Sequence, residues 1–196
     1  MKSDLLILAG LLTPLGYIPY IADTIKNKTQ PNLVTWFTWT LVAVINTAAA
    51  ISTHSTHTAI FSGITTIGNA AIVIAALKNG VKKYTPFDFI CQALALIGVV
   101  LWRFTNSPSL AVLFCVLVIA IAALPTWRHA FMKPFEETWT GFVIGSTSGF
   151  VTILSLSSFT FVSVAFPLTA ATNSMLMVII ILSRRRLAYA TAKARR

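Results

Sequence analysis

Charge is what this sequence has least of. Only 10% of its 196 residues are charged, and five are acidic. A soluble domain carries about a quarter charged residues. With 56% hydrophobic residues and a mean hydropathy of +0.80, the apolar runs are too many and too long for one soluble core. They read as membrane helices, each needing roughly 17 to 25 residues. The runs do not alternate, which excludes a closed barrel. The acids are Asp4, Asp23, Asp88, Glu136 and Glu137. All fall near run ends or in loops, so no carboxylate is expected at membrane depth, where a proton-coupled carrier places one. Cysteine is nearly absent: Cys91 and Cys115 sit inside apolar runs and need no disulfide. His54 and His57 are three apart in a loop without a neighbouring carboxylate or Cys, which reads as solvated rather than metal-binding. No Ser/His/Asp or Cys/His set lies at membrane depth, and no Gly-rich phosphate loop follows a strand. No enzyme activity, metal or cofactor is expected.

Seven runs are present, near 5–22, 33–53, 58–77, 87–104, 108–126, 138–157 and 160–183. Asp88 and Arg103 bracket the fourth, the shortest in apolar length. Lys2 precedes the first in the manner of a signal peptide, but no small-x-small cleavage pattern follows, and we read it as a retained helix.

Seven crossings put the loops on two faces. Of the 15 Lys and Arg, two (Lys2 and Arg103) fall on the face that holds the N-terminus. The other thirteen, including Lys26, Lys28, Lys78, Lys82, Lys83, Arg128, Lys133 and the tail, fall on the opposite face. Basic loops collect in the cytoplasm. The expectation is a multi-pass protein of the plasma (inner) membrane with its N-terminus outside and its C-terminus cytoplasmic. The net charge of +10 is then a topology signal. It needs no nucleic acid; the basic tail at 184–196 is in position to touch anionic lipid heads, but the topology signal accounts for it without a dedicated lipid site.

Two hexapeptides repeat. "PNLVTW" (31–36) and "PFEETW" (134–139) both read Pro-x-x-x-Thr-Trp, offset by 103 residues. "TTIGN" (65–69) and "TAATN" (169–173) both read Thr-x-x-x-Asn, and Pro19 near the end of the first run matches Pro125 in the fifth. Matches in one order at a nearly constant offset indicate duplication. The layout expected is 3+1+3: a triple-helix repeat over 1–80, a linker helix over 81–107, and a second triple-helix repeat over 108–183. An offset of four helices is even, so the repeats are parallel and related by an axis along the membrane normal.

Local chemistry assigns first roles. Pro31 and Pro134 sit at or just before helix starts, where a missing N–H costs nothing. Thr35 and Thr138 stand where a hydroxyl caps a helix. Trp36, Trp39 and Trp139 lie near one interface, as an aromatic belt or as a gate. Pro19 and Pro125 terminate or bend their helices, which suits a hinge. Gln92, Asn46 and "GSTSG" (145–149) are candidates for lining a cavity or for close packing.

The stretch "PYIADTIKNKTQPNLVTW" resembles a PQ-loop, through Pro19, Lys26, Lys28, Thr29 and Thr35, with Tyr20 where the motif usually has Gln. In the second repeat Pro125, Lys133, Pro134 and Thr138 match in a shorter loop. With the 3+1+3 layout, the chain is similar to the PQ-loop and SWEET superfamily over nearly its whole length. The resemblance implies a carrier with one Asn on the third helix of each bundle facing a central cavity. Asn69 and Asn173 occupy those places, preceded one turn earlier by Thr65 and Thr169. A carboxamide donates and accepts, so such a pair holds a small, neutral, polar solute from two sides. Sugar-transporting members add an aromatic nearer the outer end, whereas the corresponding segment here, "AAAISTHSTHTAIF", has no Trp. Nicotinamide riboside transporters share a similar layout and make a vitamin precursor the alternative cargo. Two alternatives stand beside facilitative transport: a proton-coupled PQ-loop carrier, and a seven-helix sorting receptor of the KDEL-receptor type, which needs Arg or Lys facing its cavity. Arg103 and Arg128 are the only candidates for the latter.

Overall fold

The computed structural model describes residues 2–81, 84–104 and 107–194. Lys82, Lys83, Arg195 and Arg196 lie outside the described residues, as does the side chain of Arg103. Among the described residues there are α-helices and no strands: α1 (Lys2–Ile25), α2 (Leu33–Ser52), α3 (Thr56–Asn79), α4 (Pro86–Arg103), α5 (Pro108–Met132), α6 (Trp139–Ser155) and α7 (Phe161–Ala194), with a 3-10 turn at Pro134–Glu136. Five helices are long and apolar enough to cross a membrane, namely α1, α2, α3, α5 and α7. The other two, α4 and α6, have 18 and 17 residues.

The bundle turns its most apolar side chains outward. On α1 one stripe, Ala9, Thr13, Gly16, Tyr20 and Thr24, is buried, while Ile7, Leu11, Leu15 and Ile18 on the other side are exposed. On α3, Ile67 and Ile74 are 73% and 70% exposed, whereas Ser62, Thr65 and Asn69 are buried. Small and hydroxyl-bearing residues let helices approach closely, and Leu and Ile lose nothing by facing hydrocarbon. This distribution belongs to a membrane protein.

Local signals set the helix ends. The Asn32 carboxamide oxygen accepts the N–H groups of Val34 and Thr35 and caps α2. Thr85 and Asp88 form the reciprocal pair that starts α4: the Asp88 carboxylate accepts the Thr85 N–H while the Thr85 carbonyl accepts that of Asp88. At the end of α3, Gly80 fits where an added Cβ would lie 2.6 Å from the Ala76 carbonyl oxygen and 2.8 Å from that of Pro31. The Val81 N–H then bonds the Pro31 carbonyl.

Pro19 and Pro125 do not terminate their helices, contrary to one sequence expectation: α1 continues to Ile25 and α5 to Met132. A bundle tolerates such prolines because neighbouring helices support the freed backbone groups.

In the packing, α1 lies against α3, and α3 against α2, with no contact between α1 and α2 among the described residues. Likewise α5 lies against α7, and α7 against α6, with none between α5 and α6. The two sets meet along two seams, α1 with α6 and α2 with α5, and α3 touches α7 across the centre. Outside both, α4 rests on α5 and more lightly on α2. The α1–α6 seam is tight at Gly16 and Gly141, where a Cβ on Gly141 would stand 2.8 Å from the Gly16 carbonyl oxygen.

Candidate functional site

A cavity of about 100 Å³ lies between the two sets of helices, lined by residues of every helix except α4. A single water needs roughly 10 to 15 Å³ by this kind of measure, so the space takes several waters or a small solute. Asn69 from α3 and Asn173 from α7 both line it.

Each Asn is oriented by an aromatic donor from another helix. The Tyr17 hydroxyl donates to Asn69 Oδ1 at 2.9 Å, and the Trp127 indole N–H donates to Asn173 Oδ1 at 2.9 Å. An indole nitrogen only donates, so the oxygen of Asn173 must face Trp127 and its NH₂ must point elsewhere. At Asn69, which is 4% exposed, the Tyr17 hydroxyl donates to Oδ1 and also lies 3.4 Å from the Thr65 carbonyl. With both oxygens engaged, the amide N–H groups are what the pair offers to a solute. Tyr17 is placed by Gly68, because a Cβ there would meet the Tyr17 ring at 2.4 Å. Neither Tyr17 nor Trp127 stood out in the sequence. The available signal was an aromatic with a polar tip on the apolar stretch flanking each of the matched prolines, Pro19 and Pro125.

Aromatic layers flank the cavity at both ends. Toward the face that begins α1, Phe61 and Phe166 meet edge to face with centroids 6.1 Å apart. Beside them the Thr13 and Ser148 hydroxyls are 2.6 Å apart, and both reach the Ala9 carbonyl. Toward the basic face, Tyr20 packs on Trp36 at 4.9 Å, Trp36 on Trp39 at 5.0 Å, and Tyr20 on Phe142 at 5.5 Å. The outer segment without Trp therefore does not leave the cavity without aromatics; other segments supply them.

The remaining sequence candidates divide. Trp36 and Trp39 are buried and line the cavity, so neither belongs to a lipid-facing belt. Trp139 is half-buried against the core and does not line it. Thr65 lines the cavity; Thr169 does not, and its hydroxyl bonds back to the Ala165 carbonyl. Thr35 does not cap α2, since Asn32 does; its hydroxyl instead crosses the seam to the Ala122 carbonyl of α5 at 2.9 Å. Thr138 holds the cap position of α6, but its hydroxyl donates to Asp23 at 2.8 Å and also meets that of Thr29. Pro31 and Pro134 are buried at the starts of their segments, and Pro19 is half-buried within α1. Gly145 and Ser148 line the cavity, whereas Gly149 packs against Pro167 and Ala171 of α7. Gln92 accepts from Thr38, and Asn46 is buried away from the cavity with neither amide atom bonded. His57 pairs with Ser155 rather than standing in solvent. No cluster of His, Cys, Asp and Glu suited to a metal occurs among the described residues.

The acids need the largest correction. Glu137 lies in the short loop before α6, as the sequence places it, but it is 2% exposed, directly behind the basic-face aromatic layer. Its Oε2 accepts the Tyr20 hydroxyl at 2.9 Å, and its Oε1 has no partner. Arg185 bonds the backbone carbonyl of Glu137 at 2.7 Å rather than the carboxylate. Burial pushes the Glu137 carboxyl up to about 8. Asp88 is buried as well, within the cap of α4 and in reach of the Asn32 amide.

Comparison with family models, with curated proteins and with solved structures returns no match.

Proposed function

We propose that the protein is a membrane transporter that moves a small, neutral, polar solute by alternating access, in the manner of the PQ-loop and SWEET carriers that its sequence resembles. The observation that carries this reading is the pair Asn69 and Asn173, held with free amide N–H groups in a cavity between two aromatic layers. A solute site that both ends can seal is the requirement of a carrier. The cavity lining contains no Lys, Arg, His, Asp or Glu, which suits an uncharged solute. It also disfavours a receptor that holds a peptide carboxylate, and Arg128 is exposed rather than turned inward. Lining by six helices, with α4 outside, is consistent with the 3+1+3 layout. So is the matched packing, in which α1, α2 and α3 correspond to α5, α6 and α7. In this reading α4 and α6 also cross, α6 at the lower limit of about 17 residues.

The test is uptake into liposomes containing the purified protein, over a panel of labelled neutral solutes including sugars and nucleosides. Once one is transported, Asn69→Ala and Asn173→Ala should each lower the initial rate about tenfold. Losing a hydrogen bond to an otherwise buried group costs about 1 to 3 kcal/mol, and 1.4 kcal/mol is tenfold. Asn46→Ala, outside the cavity, should stay within about twofold. Wild-type rates in both cavity variants would return the pair to the role of helix glue.

A further inference from the structure

The two seams that hold the basic end shut are built differently. Along α2 and α5 the bonds run from side chain to backbone: Thr35 to the Ala122 carbonyl and the Trp39 indole to the Ile119 carbonyl. Neither group ionises. Along α1 and α6 the bond beneath the aromatic layer is Tyr20 to Glu137, and Tyr20 itself lines the cavity. The first hexapeptide, "PNLVTW", has Val34 where the second, "PFEETW", has Glu137. The carboxyl is therefore peculiar to one seam.

Glu137 is poorly served as an anion. One oxygen has a single neutral donor, the other has none, and no cation reaches either. Each packed element contributes to its surroundings. From α1 come Tyr20 and, through Thr138, Asp23. The 3-10 turn brings Glu136, which is itself paired with Lys133 and His129 of α5 and its cap. From α7 comes Arg185, spent on the carbonyls of Pro134 and Glu137. Trp36 of α2 packs on the Tyr20 ring and does not ionise. A buried, half-satisfied carboxylate is costly, and the protonated acid costs far less.

We propose that Glu137 is a proton-binding site whose occupancy locks the basic-face aromatic layer closed, and whose deprotonation releases the α1–α6 seam. This rests on the reading of the two aromatic layers as the ends of a carrier. Closed, Glu137 is dry and prefers its proton; open, it meets water and behaves as an ordinary carboxyl. Its value in the closed form, about 8, lies above the ordinary 4.5. The proton's contribution to closure is therefore complete below about pH 4.5 and is lost as pH rises to about 8. Within that window the balance between closed and open shifts by up to about tenfold per pH unit. Closing takes up a proton from the basic side, and opening returns it there.

The test needs no solute. Spin labels on Lys28→Cys, just after α1, and Arg128→Cys on α5, one on each of the two sets of helices, in a Cys91→Ala, Cys115→Ala background in lipid nanodiscs, report separation by double electron–electron resonance. From pH 5 to 8 the long-distance population should rise about tenfold or more relative to the short one. Glu137→Gln keeps the shape and the acceptor for Tyr20 but cannot ionise, and should stay short at every pH. Glu137→Asp still ionises and should keep the transition with a displaced midpoint, which decides the matter if the Gln variant does not fold. No pH dependence in the wild type, an unchanged transition in Glu137→Gln, an unchanged midpoint in Glu137→Asp, or loss of the transition in Asp23→Asn instead would overturn the proposal. An uptake screen that finds no transported solute, with the distance shift intact, would sink the carrier reading and leave the proton site standing.

Discussion

Gly68 and Tyr17 show how much of the site depends on one missing methyl group. The ring lies where any side chain at 68 would stand, at 2.4 Å from an added Cβ, and the hydroxyl of that ring orients Asn69. A Tyr ring is anchored close to its own backbone and cannot step aside by a rotation of its tip. Gly68→Ala should therefore displace Tyr17 and free the Asn69 carboxamide to turn. The expected outcome is a fall in solute affinity of about tenfold, one lost oriented hydrogen bond, with the protein still inserted. Tyr17→Phe, which removes the hydroxyl and keeps the ring, should reproduce the affinity loss without the packing defect. Isothermal titration of both variants with a solute that the uptake screen identifies, beside thermal unfolding, checks this. An unaltered affinity in Tyr17→Phe would mean that Tyr17 does not orient Asn69. Asn46 is the contrasting residue. Its amide is buried and unbonded, so Asn46→Leu exchanges an unsatisfied polar group for an apolar one of similar size. Such a change is neutral or stabilising, and the melting temperature should stay level or rise.

Between elements, the tightest contact is the crossing of α1 and α6 at Gly16 and Gly141. Backbone meets backbone there, so no flexible side chain can yield. Gly141→Ala should push the helices apart at a seam that also carries Tyr20–Glu137 and Thr138–Asp23. Overpacking of this kind costs about 1 to 3 kcal/mol. Thermal unfolding in detergent should show a clear fall for Gly141→Ala and a much smaller one for Gly10→Ala, where an added Cβ meets nothing within 4 Å. Equal losses at both sites would mean that the crossing is not under steric constraint. Elsewhere the elements absorb irregularities: α1 and α5 run through Pro19 and Pro125 without ending, because each is flanked by other helices along its length.

At the scale of the molecule, α7 has 34 residues, about 51 Å at 1.5 Å per residue. A hydrocarbon core is about 30 Å thick. The helix therefore outruns any single crossing, and its extension carries Arg184, Arg185 and Arg186 on the basic face. Arg185 ties it to the carbonyls of Pro134 and Glu137, and Arg184 to that of Phe131. The extension clamps the turn that presents Glu137. If the basic face is cytoplasmic, as the placement of Lys and Arg predicts, a Cys placed at Ala190 should be silent to an impermeant thiol reagent in intact cells and react after permeabilisation. Labelling in intact cells would reverse the orientation.

What the sequence by itself determined is the membrane class, the helices and the clustering of basic residues at one set of run ends; it also singled out Asn69 and Asn173, which line the cavity. Apolar run length, Lys and Arg placement and short motifs are local properties, legible one segment at a time. What only the tertiary structure decided is which side of each helix faces inward. In lipid the outside of a bundle is as apolar as its inside, so hydrophobic periodicity loses its power to tell them apart. Trp36 and Trp39 thus read as an interfacial belt and prove to line the cavity; Thr35 reads as a cap and proves to be a crosslink. The pairs that make the site, Tyr17 with Asn69, Trp127 with Asn173 and Tyr20 with Glu137, are 52, 46 and 117 residues apart. No pattern within a helix joins them. Glu137 reads as a loop acid because it lies beyond the end of an apolar run; it is buried because Tyr20 of α1, the end of α5 and the overhang of α7 close around that turn.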